Sequence, residues 1–122
     1  DAMSPTQGRD VNGTTAVLKS QSKLPSSRFE MGTLLNQRFS PQLLTSDEDV
    51  DRFVDYLRAF EALGDYHVQF NVINSKTLHA AMEEPDKYKD LLVRVASYVS
   101  YFVEIDPVGQ MDIIHRTEQE EW

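Results

Sequence analysis

Residues 46–84 constrain the fold more than any other stretch of the chain. Ser46 stands before Asp47, Glu48 and Asp49, an N-cap hydroxyl followed by anions where the helix dipole favours them. Val50, Phe53, Val54, Leu57, Phe60 and Leu63 then recur with helical spacing, which predicts a helix over 46–63. Gly64 is placed to end it as a C′ glycine. At Tyr66 the period changes. Tyr66, Val68, Phe70 and Val72 alternate with His67, Gln69 and Asn71, as in a strand running to Ile73. Asn74 or Ser75 caps a second helix from Lys76 to Glu84, and Pro85 stops it. A helix, a strand and another helix within forty residues require a sheet covered by a helical layer, so the fold class is α/β, with α+β as the alternative.

The flanks extend this pattern. Asp86 to Asp90 reads as a short turn, Leu91 to Ala96 as a strand dense in Leu and Val, and Tyr98 to Ile105 as further extended chain. Asp106-Pro107 opens a last helix with Val108, Met111 and Ile114 or His115 facing inward. The tail TEQEEW is acidic and is expected to fray. Upstream, residues 1–14 form a loop punctuated by Pro5, Gly8, Asn12 and Gly13. Thr14 or Thr15 caps a short helix that carries Val17, Leu18 and Leu24 on one face and breaks at Pro25. The run Gly32 to Phe39 reads as extended chain ending at Ser40-Pro41.

A length of 122 residues suits one domain or a piece of a larger one. The chain has no cysteine, which excludes disulfides, thiolate metal sites and a cysteine nucleophile within it. Its net charge of −8 has the wrong sign for a nucleic-acid binder. No apolar run is long enough to cross a membrane and no signal peptide opens the sequence, so the chain reads as soluble and cytoplasmic. His67, His79 and His115 lie too far apart for a local metal motif. The charge divides unevenly: residues 1–45 carry a net +2 and residues 46–122 the remaining −10. The first segment is also richer in Ser, Thr, Gly and Gln, and the expected division of the chain is 1–45 and 46–122.

No constellation of these residues makes a catalytic site on its own. Asp47 to Asp49 read as a solvated helix N-terminus rather than metal ligands. The His67, Gln69, Asn71 side of its strand is either exposed to solvent or a buried hydrogen-bonding surface. Arg94 lies in an otherwise apolar strand, so it either has a buried partner or extends its stem outward from an edge. Tyr98 and Tyr101 read as core or interface aromatics.

Two ordered sets of blocks carry more information. One is Tyr66-His67-Val68-Gln69-Phe70-Asn71-Val72, Thr77-Leu78, Pro85-Asp86-Lys87-Tyr88 and Asp90-Leu91-Leu92-Val93-Arg94-Val95-Ala96. The other is Ser4-Pro5, Gly8, Asp10, Gly13, Thr15-Ala16-Val17-Leu18, followed by Gly32-Thr33-Leu34-Leu35-Asn36 to Phe39. Together they resemble the C-terminal glycyl radical domain of the pyruvate formate-lyase-like glycyl radical enzymes, whose signature reads Arg-Val-x-Gly-aromatic near the chain end. The Ser4 to Leu18 block resembles the dehydratase and decarboxylase branches.

The resemblance implies the C-terminal part of a ten-stranded α/β barrel from an enzyme several times longer. Residues 1–45 would be barrel-associated loop, short helix and strand, and residues 46–122 the glycyl radical domain with its acidic outer surface. In such enzymes an AdoMet-dependent iron–sulfur activase draws a hydrogen atom from a glycine Cα. The stored radical passes to a barrel cysteine that attacks the substrate. With no cysteine, the chain is not catalytic alone. It would bind no cofactor of its own and hold no metal. Its partners would be the rest of the parent enzyme or a separate barrel subunit, together with the activase. Dehydratases, decarboxylases, lyases and C–C bond-forming enzymes of anaerobic metabolism share this region.

The position that should hold the radical glycine is Ser97. A Cα radical is stabilised by delocalisation into both flanking amides, which requires a planar centre. A serine Cβ crowds that plane and removes the backbone freedom of glycine. Ser97 is therefore expected not to store a radical, whether the substitution is deliberate, natural, or the mark of a domain kept for docking. Arg94, Val95, Ala96 and Tyr98 flank the position and would support the loop or be read by the activase, with scaffolding the plainer role. His67, Gln69 and Asn71 would support it from the neighbouring strand. Thr6, Gln7, Asp10 and Asn12 would lie near the parent's substrate cavity. A second departure is Thr14, where the family usually has proline. The alternative function is a non-catalytic spare part or docking subunit that binds a glycyl radical enzyme.

Overall fold

The computed structural model describes residues 3–30 and 32–122. Asp1 and Ala2 of the expected N-terminal loop, and Met31, lie outside the described residues. Three strands form a parallel sheet in the order β2-β1-β5: β1 is Leu35–Phe39, β2 Val68–Val72 and β5 Glu118–Gln119. Two more, β3 (Leu92–Arg94) and β4 (Val99–Tyr101), form an antiparallel hairpin. The helices are α1 (Thr14–Gln21), α2 (Asp47–Ala62), α3 (Ser75–Glu83) and α4 (Pro107–His115). The fold is α/β.

The parallel register puts Asn36 beside Gln69 and Arg38 beside both Asn71 and Glu118. Since side chains alternate along a strand, one face of the sheet carries Asn36, Arg38, Gln69, Asn71 and Glu118. The opposite face carries Leu35, Gln37, Phe39, Val68 and Phe70. That apolar face is covered by Val17 and Leu18 of α1, Tyr56 and Phe60 of α2, and Trp122. Five rings meet there: Phe39, Phe53, Tyr56, Phe70 and Trp122, with centroids 4.9–6.4 Å apart among the contacting pairs, a spacing at which edge-to-face contacts are favourable. A second core lies beyond the polar face. It joins Ile73, Leu78 and Ala81 to Val93, Phe102, Ile113 and Ile114, so α3, α4 and the hairpin pack as one unit.

Local signals account for the best-defined elements. The Ser46 hydroxyl accepts from the Asp49 backbone N–H, and the Asp49 side chain accepts from that of Ser46, closing a capping box on α2. Gly64 follows the helix at φ +81°. Asn74 caps α3 through Thr77 N–H, and Asp106 caps α4 through Val108 and Gly109 N–H.

Five expectations require correction. The tail does not fray: β5 pairs with β1, the Thr14 N–H donates to Glu121 O at 3.2 Å, and the Trp122 ring packs 5.7 Å from that of Phe39. On α2, Tyr56 and Phe60 are buried, whereas Val50, Val54, Leu57 and Leu63 of the expected stripe are exposed. The apolar arc of this helix is wider than the sheet beneath it. On α4 the buried side is Gln110, Ile113 and Ile114, and Val108 stands 80% exposed. Leu24 is exposed too, because α1 ends at Gln21. The strands expected over 91–96 and 98–105 shorten to β3 and β4, and 102–104 turns into a 3-10 helix.

Candidate functional site

The β3–β4 hairpin carries the Arg94 to Tyr98 stretch. Leu92 pairs with Tyr101, Val93 with Ser100 and Arg94 with Val99. The Val95 N–H donates to Tyr98 O at 3.0 Å, leaving Ala96 and Ser97 as a two-residue turn. Such turns usually need a positive φ, to match the twist of the strands, yet neither residue takes one. Ser97 is exposed at the tip and Tyr98 is 58% exposed beside it. Among the described residues the Ser97 hydroxyl has no hydrogen-bond partner, so no base is arranged to activate it as a nucleophile. Ala96 and Arg94 are half-buried, and Val95 packs against the second core.

Two side chains fix the base of this tip. Asn71 of β2 is buried. Its Nδ2 donates to Arg94 O at 2.9 Å and its Oδ1 accepts from Arg94 N–H at 2.8 Å. Arg116, just past α4, donates through Nη1 to Arg94 O at 3.2 Å and through Nη2 to Val95 O and to Asp112 Oδ2, the last at 3.2 Å. The polar side of β2 is therefore a buried hydrogen-bonding surface at Gln69 and Asn71, while His67 is exposed. Gln69 Nε2 reaches the His67 ring nitrogen at 3.1 Å. The Arg94 guanidinium has no carboxylate within 4 Å among the described residues, and it is the Arg94 backbone that is held, through its N–H and its carbonyl.

Behind Arg116 lies a pocket of about 150 Å³, lined by Ser4, Gln7, Asp10, Asn36, Arg38 and Thr117 among others. Here the N-terminal loop meets the polar face of the sheet. The Asn36 N–H donates to Ser4 Oγ at 3.0 Å, and Thr117 Oγ1 donates to Asp10 Oδ1. Arg38 is buried; its Nη2 donates to Ser75 Oγ at 2.9 Å and stands 3.7 Å from Glu118. Burial is the largest influence on it and lowers its pKa from the ordinary guanidinium value, with Glu118 acting in the opposite direction. Gln7 and Asp10 of the expected cavity residues line this pocket, while Asn12 lines a neighbouring one. Among the described residues no group of three or more His, Asp or Glu side chains could hold a metal ion, and no helix is long and apolar enough to cross a membrane.

The structure thus brings Asn71 to the hairpin and leaves Gln69 and His67 one step aside. Sequence reasoning missed Arg116, Arg38 and the Asp10–Thr117 contact. An arginine directly after a helix was the available signal for Arg116, since a cation there can turn back onto nearby carbonyls.

Comparisons with known proteins agree on one family. A family profile described as glycine radical matches residues 1–103. The chain is 44% identical to an isethionate sulfite-lyase of Oleidesulfovibrio alaskensis over 98% of its length, covering 15% of that protein. It is 41% identical to a trans-4-hydroxy-L-proline dehydratase of Clostridioides difficile, again over 98% of the chain and 15% of the relative. Among solved structures it superposes on the glycerol-bound B12-independent glycerol dehydratase of Clostridium butyricum with a TM-score of 0.94 and 44% identity, covering 98% of this chain and 15% of that one. The chain therefore spans about 15% of the length of the relatives it matches.

Proposed function

The chain belongs to the glycyl radical family, and from that membership we propose that it is the radical-carrying C-terminal region of a lyase- or dehydratase-type glycyl radical enzyme, with its radical position disabled by serine. The observation that carries this reading is the place of Ser97. It occupies the free tip of a two-residue turn, at the end of a hairpin laid over the polar face of the sheet. A tip of this shape can be presented to a second protein without disturbing either core.

The residues around it take the corresponding roles. Arg94 and Tyr98 present the tip to an activase, Val95 and Ala96 shape it, and Gln69, Asn71 and His67 support it from β2. Residues 1–45 supply the barrel-associated part and residues 46–122 the radical domain. The rest of the parent enzyme is the principal partner. Both outer strands of the three-stranded sheet, β2 and β5, pair on one side only among the described residues, and an open edge calls for a further strand. Val50, Val54 and Leu57 form an uncovered apolar stripe on α2, as expected of a surface that packs against more protein. The pocket around Asp10, Arg38 and Arg116 opens toward the parent's substrate cavity.

Serine blocks radical storage because its Cβ opposes planarity at Cα, whereas glycine imposes no such crowding. Oxygen provides the test, since a glycyl radical exposed to it cleaves the chain at its own position. After anaerobic incubation with an AdoMet-dependent activase and then exposure to air, mass spectrometry is expected to find Ser97→Gly cut at position 97 and the unaltered chain intact. An intact Ser97→Gly chain, or a cut unaltered one, would overturn the proposal.

A further inference from the structure

We infer that Asn71 and Arg116 are the positioning residues of the β3–β4 hairpin: two side chains, rather than a backbone ladder, set where its tip stands over the sheet. Among the described residues the hairpin pairs only within itself, and the three-stranded sheet pairs separately. Between them lies the Asn71 carboxamide. It offers Arg94 one donor at 2.9 Å and one acceptor at 2.8 Å, the pair of bonds that a neighbouring strand would otherwise supply. Arg116 adds a second point of attachment from the opposite direction. Its planar guanidinium reaches the successive carbonyls of Arg94 and Val95 while Asp112 holds it from behind, a fork geometry that a point charge cannot reproduce. Arg94 O accepts from both residues, so the two grips converge on one peptide three residues before Ser97.

Asn71 is 8% exposed, and the Arg116 side chain is 17% exposed. These bonds are thus partly shielded from competing water, which makes an unmade partner costly. The backbone at Arg94 is consequently held through side chains that can be changed one at a time, without touching the Val93 and Phe102 core that anchors the rest of the unit.

The inference rests on the hairpin being the segment the protein presents, but its test needs no radical chemistry. Hydrogen exchange on the 122-residue chain, followed residue by residue, reads the clamp directly. Replacing Asn71→Leu, which removes the acceptor of the Arg94 N–H, is expected to speed exchange of that amide by roughly fivefold to tenfold, the worth of one hydrogen bond; Arg116→Gln, which weakens the hold on the Arg94 and Val95 carbonyls, should speed it by a smaller factor. The Phe70 and Phe60 amides should remain unchanged. Asn71→Asp keeps the acceptor for the Arg94 N–H and should hold that amide closer to its original rate than Asn71→Leu does. Two results would overturn the inference: an Arg94 amide indifferent to both substitutions, or one that rises only together with Phe70 and Phe60. Radical formation in Ser97→Gly tests the presented-hairpin reading separately, so failure of one is distinguishable from failure of the other.

Discussion

Tyr56 shows how firmly single residues fix this fold. Its ring is buried among Phe39, Phe70 and Trp122, and its hydroxyl donates to Gln37 Oε1 at 2.6 Å. Burial, and then the negative charge of Asp65, raise its pKa well above that of an ordinary phenol. The folded state therefore keeps a proton that the unfolded chain gives up near pH 10. The contribution is complete below that pH, and stability declines as pH rises toward the folded value. Tyr56→Phe should cost about 1–2 kcal/mol at neutral pH, because it leaves a buried acceptor on Gln37 unmade. It should also remove the tyrosine's share of the alkaline decline. Urea unfolding between pH 7 and 11 measures both effects. Among the site residues, Asn71 was legible only as one of two alternatives. A strand's polar side looks the same in sequence whether it faces water or a hairpin, and the deciding contact with Arg94 is long-range.

At the scale of elements, α2 was the most legible because its start and stop are local. Ser46 and Asp49 close a capping box, and Gly64 follows the last turn. Ser46→Ala should destabilise the chain by about 1 kcal/mol. Hydrogen bonds from the Ser46 hydroxyl, and next from its backbone N–H, hold the Asp49 carboxyl below its ordinary pKa. This contribution is present above the usual carboxylate range and is lost as pH falls through the folded pKa. A thermal unfolding series from pH 7 to 3 should show the Ser46→Ala difference shrinking with acid; a constant difference would contradict the box. The strands were less legible, for a matching reason. β5 is two residues of an acidic tail with no apolar alternation, and only its register against Arg38 and Phe39 makes it a strand. The exposed part of the α2 stripe misled in the opposite sense, since periodicity reports which side is apolar but not how much of it a neighbour covers.

Across the whole molecule, the two ends of the chain lock onto each other. Gly13 has φ 85° and ψ 167°, a region essentially reserved for glycine. A Cβ there would stand 3.3 Å from Trp122 O and 3.4 Å from Glu121 O. Gly13→Ala is expected to cost about 1–3 kcal/mol and to release the tail, seen as a change in Trp122 fluorescence before global unfolding. Unchanged stability would show that the ends are not coupled. At this scale the blocks quoted from Ser4 to Phe39 and from Tyr66 to Ala96 were enough to identify the family, and the profile match and superpositions bear that out. What they could not show is the division of labour between the sheet's faces: an aromatic core under α2 on one side and the hairpin with its clamp on the other.

The central claim is that this is a glycyl radical region whose storage position, Ser97, cannot hold a radical. Electron paramagnetic resonance after anaerobic incubation with an AdoMet-dependent activase tests it most directly. The account predicts no glycyl doublet from the chain as it stands and a clear doublet from Ser97→Gly. A doublet from the unaltered chain would contradict it.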